Sequence, residues 1–232
     1  GYLSLSFGQL LLASIWPTRH TRKLACQLAT EIKAQILRFQ SLLGAHSVHL
    51  DGHQHIHLVP LVWRELLKLE PGLRPVWLRS IREPWPTAIS NAAWMEAVLS
   101  AGLIKWLILS LLSSALKPKL ARNKIATNSN FAGVLFTGRM AGQTLRASFQ
   151  RLSNQPPPMP GSDGTTAPLL LIHPAKRSVS NPDTSKSPGS IDRRYHLSLG
   201  FYASHWRQRE YESLAQLAED FNILQPSIER IK

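Results

Sequence analysis

Four histidines and an aspartate fall within nine residues of this chain: His49-Leu50-Asp51-Gly52-His53-Gln54-His55-Ile56-His57, closed by Leu58-Val59-Pro60. Side chains of a β-strand alternate between faces, so a strand here would aim His49, Asp51, His53, His55 and His57 the same way. The other face would carry Leu50, Gln54, Ile56 and Leu58, mostly apolar. Imidazoles and a carboxylate in one row suit a divalent metal such as zinc or its first-row neighbours, with the carboxylate as direct ligand or as the group fixing a ligand's tautomer. Left unliganded, such a row would bury many polar groups without partners, which is costly. One strand does not complete a coordination shell, so at least one further ligand is expected from elsewhere in the chain.

The 232 residues and 44% hydrophobic content suit one globular domain, expected over 1–232. The first residue is Gly1, and the chain is read as lacking its true beginning. No secretory signal is visible, and the single cysteine, Cys26, excludes an internal disulfide, so a cytoplasmic location is expected. The formal charge of +13 at pH 7 fits an anionic partner, but the basic residues are scattered and no basic helix with interleaved aromatics occurs. Nucleic acid is therefore not an expected partner.

In chain order, Gly1–Gly8 alternates Leu3 and Leu5 with Ser4 and Ser6 and reads as a strand. Leu24, Leu28, Ile32, Ile36, Phe39 and Leu43 recur at helical spacing, with Thr21 as N-cap and Gly44 as C-cap. Strand, helix and histidine strand together predict a parallel βαβ unit, with the cluster towards the strand's C-terminal end, where α/β folds collect their sites. A helix follows over Leu61–Leu69, then a strand over Pro75–Ile81 leading into Arg82-Glu83-Pro84-Trp85-Pro86, a rigid loop that reads equally as a substrate contact or as a surface Arg-Glu pair in a Pro-rich turn.

The most apolar stretch is Val98–Leu116, 19 residues expected to stop at Pro118. Lys105 and several serines favour a buried or partner-facing helix over a membrane span, and the basic residues after it leave a peripheral membrane contact open. Asn130–Met140 reads as strand or loop and Thr144–Leu152 as a short helix. Ser153–Pro168 reads as an irregular loop and Lys176–Arg194 as a mobile one. Leu169–Ile172 reads as a buried parallel strand that delivers His173 at its C-terminal end, and Arg207–Phe221 as the last helix. Phosphate-binding glycine loops and serine-nucleophile motifs are absent from the sequence.

The stretch HLDGHQHIHLVP resembles the histidine motif of the YdjC-like carbohydrate deacetylases, the family of the chitooligosaccharide deacetylases. QILRFQSLLG, WLRSIREP, FAGVLFTGRM, LLLIHPAK and YASHWRQREYESLAQL resemble further segments of that family, in its order. The resemblance implies an α/β fold, a variant (β/α) barrel of TIM-like kind, here incomplete at the N-terminus. It also implies a divalent cation (Mg or Zn) and removal of acetyl groups from N-acetylated sugars or oligosaccharides. In that family an Asp-Asp strand, a further His and the first His of the cluster hold the cation. The last corresponds to His53; the Asp-Asp strand is not in this chain, and the further His falls near Tyr2.

The resemblance makes His173 the general acid and Asp51 the residue that orients a ligand or assists the base. His55, His57, Arg79 and Glu83 become candidate substrate contacts. The rival readings are a catalytically inactive relative that binds sugars or a protein partner, and a basic binder of nucleic acid or anionic membrane. A homo-oligomer is left open.

Overall fold

A computed structural model describes residues 5–16, 18–44, 47–85, 91–99, 102–154, 165–174 and 205–221. The chain is a mixed α/β protein with short parallel strands, and its described residues divide into two compact units. The first comprises Gly1–Pro84, Ile104–Phe131 and Pro156–Leu169; the second comprises Trp85–Leu103, Ala132–Gln155 and Leu170–Lys232.

The first unit opens on helix α1, Phe7–Ile15, where the alternation of Gly1–Gly8 predicts a strand. Ser6 and Gln9 form a reciprocal capping box: the Ser6 hydroxyl accepts from the Gln9 N–H, and the Gln9 side chain accepts from the Ser6 N–H at 2.8 Å. That local pairing satisfies two helix-end donors and starts the helix at Phe7. Gly1 to Ser4, including Tyr2, lie outside the described residues.

Helix α2, Arg19–Leu43, ends on Gly44 at φ 61, the left-handed C-cap its glycine predicts. Its N-cap is Thr18, and Thr21 is its capping-box partner three residues on. Leu10 of α1 and Leu28 of α2 pack with Val59, Leu61 and Val62, while Ile36, Val48 and Leu69 form a neighbouring cluster.

Strand β1 is only His49–Leu50, paired in parallel with β2, Trp77–Leu78, in the register His49 to Trp77. Between them run a 3₁₀ turn, His53–Leu58, and helix α3, Pro60–Leu67, so the parallel crossover is β1–α3–β2. The Ser14 hydroxyl accepts from the Leu61 N–H at 3.0 Å and ties α1 to the first turn of α3. On the far side of β2, Trp77 bridges Ala126 in parallel, and β3, Thr127–Asn128, pairs in parallel with β5, Thr165–Thr166. That strand lies inside the stretch read as an irregular loop, whose residues 155–164 are outside the described set.

Helix α4, Asn91–Leu99, is followed by α5, Gly102–Arg122. Pro118 does not stop α5 but sits inside it. A helical proline frees the carbonyl four residues earlier, and both Ser114 and Pro118 are exposed, so water can satisfy it. No helix among the described residues is long and apolar enough to cross a membrane.

Strand β4 is Phe131–Ala132, and in the second unit Gly133 follows it at φ 127, where an added Cβ would lie 2.3 Å from the Leu171 carbonyl oxygen. Glycine alone permits that close approach. Helix α6, Gly142–Ser153, contacts α7, His205–Asp220, with Phe149 edge-on to Phe221. Leu169–Leu170 (β6) is half-buried rather than buried. The Lys176–Arg194 stretch lies outside the described residues.

Candidate active site

The histidine stretch does not continue β1. The strand ends at Leu50, and Gln54 and His55 take left-handed backbone angles, φ 50 and φ 64, inside the 3₁₀ turn. A left-handed pair cannot keep the alternation of a strand, so the expected row breaks apart. His49 is exposed and stacks on its register partner Trp77, with ring centroids 5.8 Å apart. Asp51 and His53 are exposed, whereas His55 and His57 are buried. The tight return places the His57 ring against Gly52: its Nδ1 accepts from the Gly52 N–H at 3.0 Å, and a Cβ on Gly52 would come within 2.7 Å of that nitrogen. Gly52→Ala is expected to cost about 2 kcal/mol of folding stability through this overlap, read as a lowered urea midpoint.

Arg79, which follows β2, organises what the turn gathers. Its guanidinium Nη2 lies 2.7 Å from a carboxylate oxygen of Asp51 and 2.9 Å from Nδ1 of His55. A guanidinium only donates, so His55 Nδ1 accepts. The Arg79 carbonyl accepts from Nε2 of His57 at 2.9 Å, and its guanidinium carbon sits 5.7 Å from the centre of the Phe131 ring. Because Gly52 donates to Nδ1 of His57, the proton of that ring resides on Nε2. Burial pushes the His57 pKa down to about 4, and the Arg79 charge pushes in the same sense. Burial raises the Asp51 carboxyl above its ordinary range against the pull of Arg79, and lowers Arg79 against the pull of Asp51. Desolvation thus dominates both partners, and the pair fixes geometry more than it adds stability.

Asn128 of β3 closes the other side of this segment. Its side chain accepts from the Ser80 N–H at 2.7 Å and donates to the Ser80 and Asn130 carbonyls. Glu83 is buried, and its carbonyl accepts from the Trp106 indole N–H at 2.9 Å. Asp51, His55, His57 and Arg79 therefore meet in one network beside the C-terminal ends of β1 and β2. Asn128 was missed in the sequence; its signal is an amide-rich Asn128-Ser129-Asn130 run directly after an apolar-flanked strand end.

The profile of the YdjC-like protein family matches residues 6–218. The chain belongs to the YdjC-like family. It is 29% identical over 154 residues to a protein of Mus musculus named carbohydrate deacetylase, covering 66% of this chain and 46% of that protein. It is 34% identical over 71 residues to the Homo sapiens protein of the same name, covering 31% of this chain and 21% of that one. The chain thus spans less than half the length of these relatives. No solved structure matches it.

In this YdjC-like chain the donor chemistry of the network decides whether it suits a cation. Both ring nitrogens of His57 face backbone groups, and Nδ1 of His55 and an oxygen of Asp51 face Arg79. His49 and His53 present exposed rings with no hydrogen bond among the described residues, and of the two His49 is stacked on Trp77. No group of three His, Cys, Asp or Glu side chains among the described residues is able to hold a metal. These residues by themselves therefore do not make a cation site, which takes three or more protein ligands for zinc.

His173 belongs to the second unit of the YdjC-like chain. It is half-buried; its N–H donates to Oε2 of Glu210 at 2.6 Å, and its carbonyl accepts from Nε of Arg207 at 3.0 Å. The other Glu210 oxygen accepts from the Met140 N–H at 2.9 Å, so one fully buried carboxylate on α7 holds two separate loops. A carboxylate on the apolar side of a helix is the signal that marks Glu210 in the sequence.

Proposed function

We propose that this chain carries part of a carbohydrate deacetylase, a hydrolase that removes acetyl groups from N-acetylated sugars or oligosaccharides, built on a variant (β/α) barrel. One observation carries the reading: the family match runs through the whole histidine stretch, and that stretch folds into a polar network at the C-terminal ends of parallel strands. In this reading Arg79 holds Asp51 and His55 in a fixed arrangement, and neutral His57 anchors the turn that presents His53. His53 is the imidazole this chain offers to a divalent cation, whose other ligands come from outside the described residues. His173 is assigned to protonate the leaving amine, and Glu83 and the buried histidines to the substrate wall.

The test is acetate release from N-acetylglucosamine and its short oligomers, with and without added magnesium or zinc. The parent is expected to turn over, and His53→Ala to lose at least roughly 10- to 100-fold, the range for residues that only support a metal ligand. Equal metal-dependent turnover in parent and His53→Ala removes the assignment. A second reading, a sugar binder without turnover, is favoured by the lack of a three-ligand cluster among the described residues. It predicts saturable sugar binding by calorimetry with no acetate released under any metal.

A further inference from the structure

Helix α5 has two faces of opposite burial and the same chemistry. Leu109, Ser113, Leu116 and Leu120, spaced at helical intervals, are buried and mark the side that faces the first unit's core. On the opposite side Ile104, Leu107 and Leu111 are 64%, 52% and 62% exposed, and Ala115 and Pro118 continue the line. A soluble helix puts polar residues there, so an aliphatic stripe of this length calls for a covering partner.

Charge identifies that partner. Helix α5 carries Lys105, Lys117, Lys119 and Arg122 and no carboxylate. Arg122 is exposed at the C-terminal end of the stripe itself, and Lys124 is exposed just beyond. The imbalance extends further: from Glu96 to Asp163 the sequence has no acidic side chain and eight Lys or Arg residues. A second copy of this chain, at formal charge +13, would bring the same sign to the same face and be repelled. Nucleic acid would meet the cations but leave Ile104, Leu107 and Leu111 uncovered, because phosphate and base edges are read by polar and aromatic groups. Aliphatic side chains flanked by cations match a bilayer surface with acidic headgroups, where the chains enter the acyl boundary and the cations meet phosphate.

The same pairing recurs elsewhere in the first unit. Leu12 and Ile15 of α1 and its C-cap Trp16 are 68%, 67% and 74% exposed, and the next exposed cations are Arg19, Arg22 and Lys23 at the start of α2. Cations at a helix N-terminus oppose the helix dipole, so their place is not explained by helix stability. Tryptophan beside arginine and lysine is the side-chain mixture of a membrane interface.

We propose that the outer face of α5 is a docking surface for a membrane rich in anionic lipid, to which the chain binds peripherally without crossing it. This does not rest on the deacetylase reading, since its readout is adsorption and not turnover.

The experiment is co-flotation of the whole chain with phosphatidylcholine vesicles containing either no or 30 mol% phosphatidylglycerol, roughly the acidic content at which polybasic surfaces respond. Expected is capture by the acidic vesicles and not the neutral ones, weakened by high salt. Leu107→Glu with Leu111→Glu should reduce capture at least about tenfold, as the apolar anchor is lost. Arg122→Glu should reduce it several-fold, at about fivefold per cation removed. All three positions are exposed, and far-ultraviolet circular dichroism verifies that the variants remain folded. Absence of capture, or equal capture by neutral and acidic vesicles, overturns the proposal. So does a dimer in solution that the double leucine variant dissociates, which gives the face to a second copy. Retention on a polyanion matrix that the leucine changes leave untouched, without vesicle capture, gives it to nucleic acid and overturns the proposal as well.

Discussion

Arg79→Met is expected to lower the unfolding free energy by about 2–3 kcal/mol and the melting temperature by roughly 5–10 °C, the largest loss for any single contact in the histidine network. Methionine keeps most of the volume of the arginine stem, so the change isolates the guanidinium. Two partners lose it. Asp51 has a side chain 50% exposed and regains water, so its share is small. His55 is 5% exposed, and its Nδ1 loses a charged donor with little access to solvent. That desolvated acceptor carries most of the cost. Asp51→Asn should therefore cost less than about 1 kcal/mol, while His55→Leu in the Arg79→Met background should recover part of the loss. Arg79→Lys should not rescue fully, because the shorter lysine stem does not carry its ammonium to the point where Nη2 meets both Asp51 and His55. Thermal melts of these four variants test the assignment, and an unchanged melting temperature in Arg79→Met refutes it.

The same residues explain which parts of the molecule can be read from the sequence. Gly44 as a C-cap, the amphipathic repeat of α2 and the helices α6 and α7 follow local rules of period and capping, and the structure has them. The parallel pairing that the described residues show joins β1 to β2 across α3, one helix later than the βαβ unit expected from Gly1–Gly8, α2 and the histidine strand. Of the Gly1–Gly8 stretch, only the end is described, and there a reciprocal Ser6–Gln9 cap makes Phe7 and Gly8 the first turn of a helix. Pro118 misleads because a proline on an exposed helix face costs a hydrogen bond that water replaces.

The histidine stretch itself misleads in geometry. Period-two spacing predicts one shared face, yet Gly52 and the left-handed Gln54 and His55 fold the stretch back on itself. Nothing local distinguishes the two outcomes. The deciding contacts are Arg79, 22 residues beyond His57, and the backbone carbonyl it presents. Arg79 was legible as a candidate, but its role as the cation inside the cluster required the fold. A buried positive charge at the centre of three candidate ligands changes what the cluster does: it pairs Asp51 and His55 with a protein cation and leaves the exposed rings of His49 and His53 outside that pairing.

Acid should expose that commitment. His57 has a folded pKa of about 4 against an ordinary value near 6.5, because burial and Arg79 both oppose a proton. As pH falls below 6.5 the unfolded chain takes up this proton and the folded chain does not, so stability falls with pH. The loss begins near pH 6.5, is complete near pH 4, and amounts to roughly 2 kcal/mol between pH 7 and pH 5. Asp51, with its raised folded pKa, works in the opposite sense, since its folded form takes up a proton first. The clean comparison is therefore the pH slope of the urea midpoint in the parent and in His57→Leu. That variant is less stable at pH 7, because the Gly52 N–H and the Arg79 carbonyl lose their partner. It should nevertheless have a flat or slightly rising midpoint from pH 7 to pH 5, where the parent falls. Parallel slopes in the two proteins would mean that the His57 ring titrates as freely as in the unfolded chain, and that the Gly52–His57–Arg79 chain of hydrogen bonds does not hold it neutral.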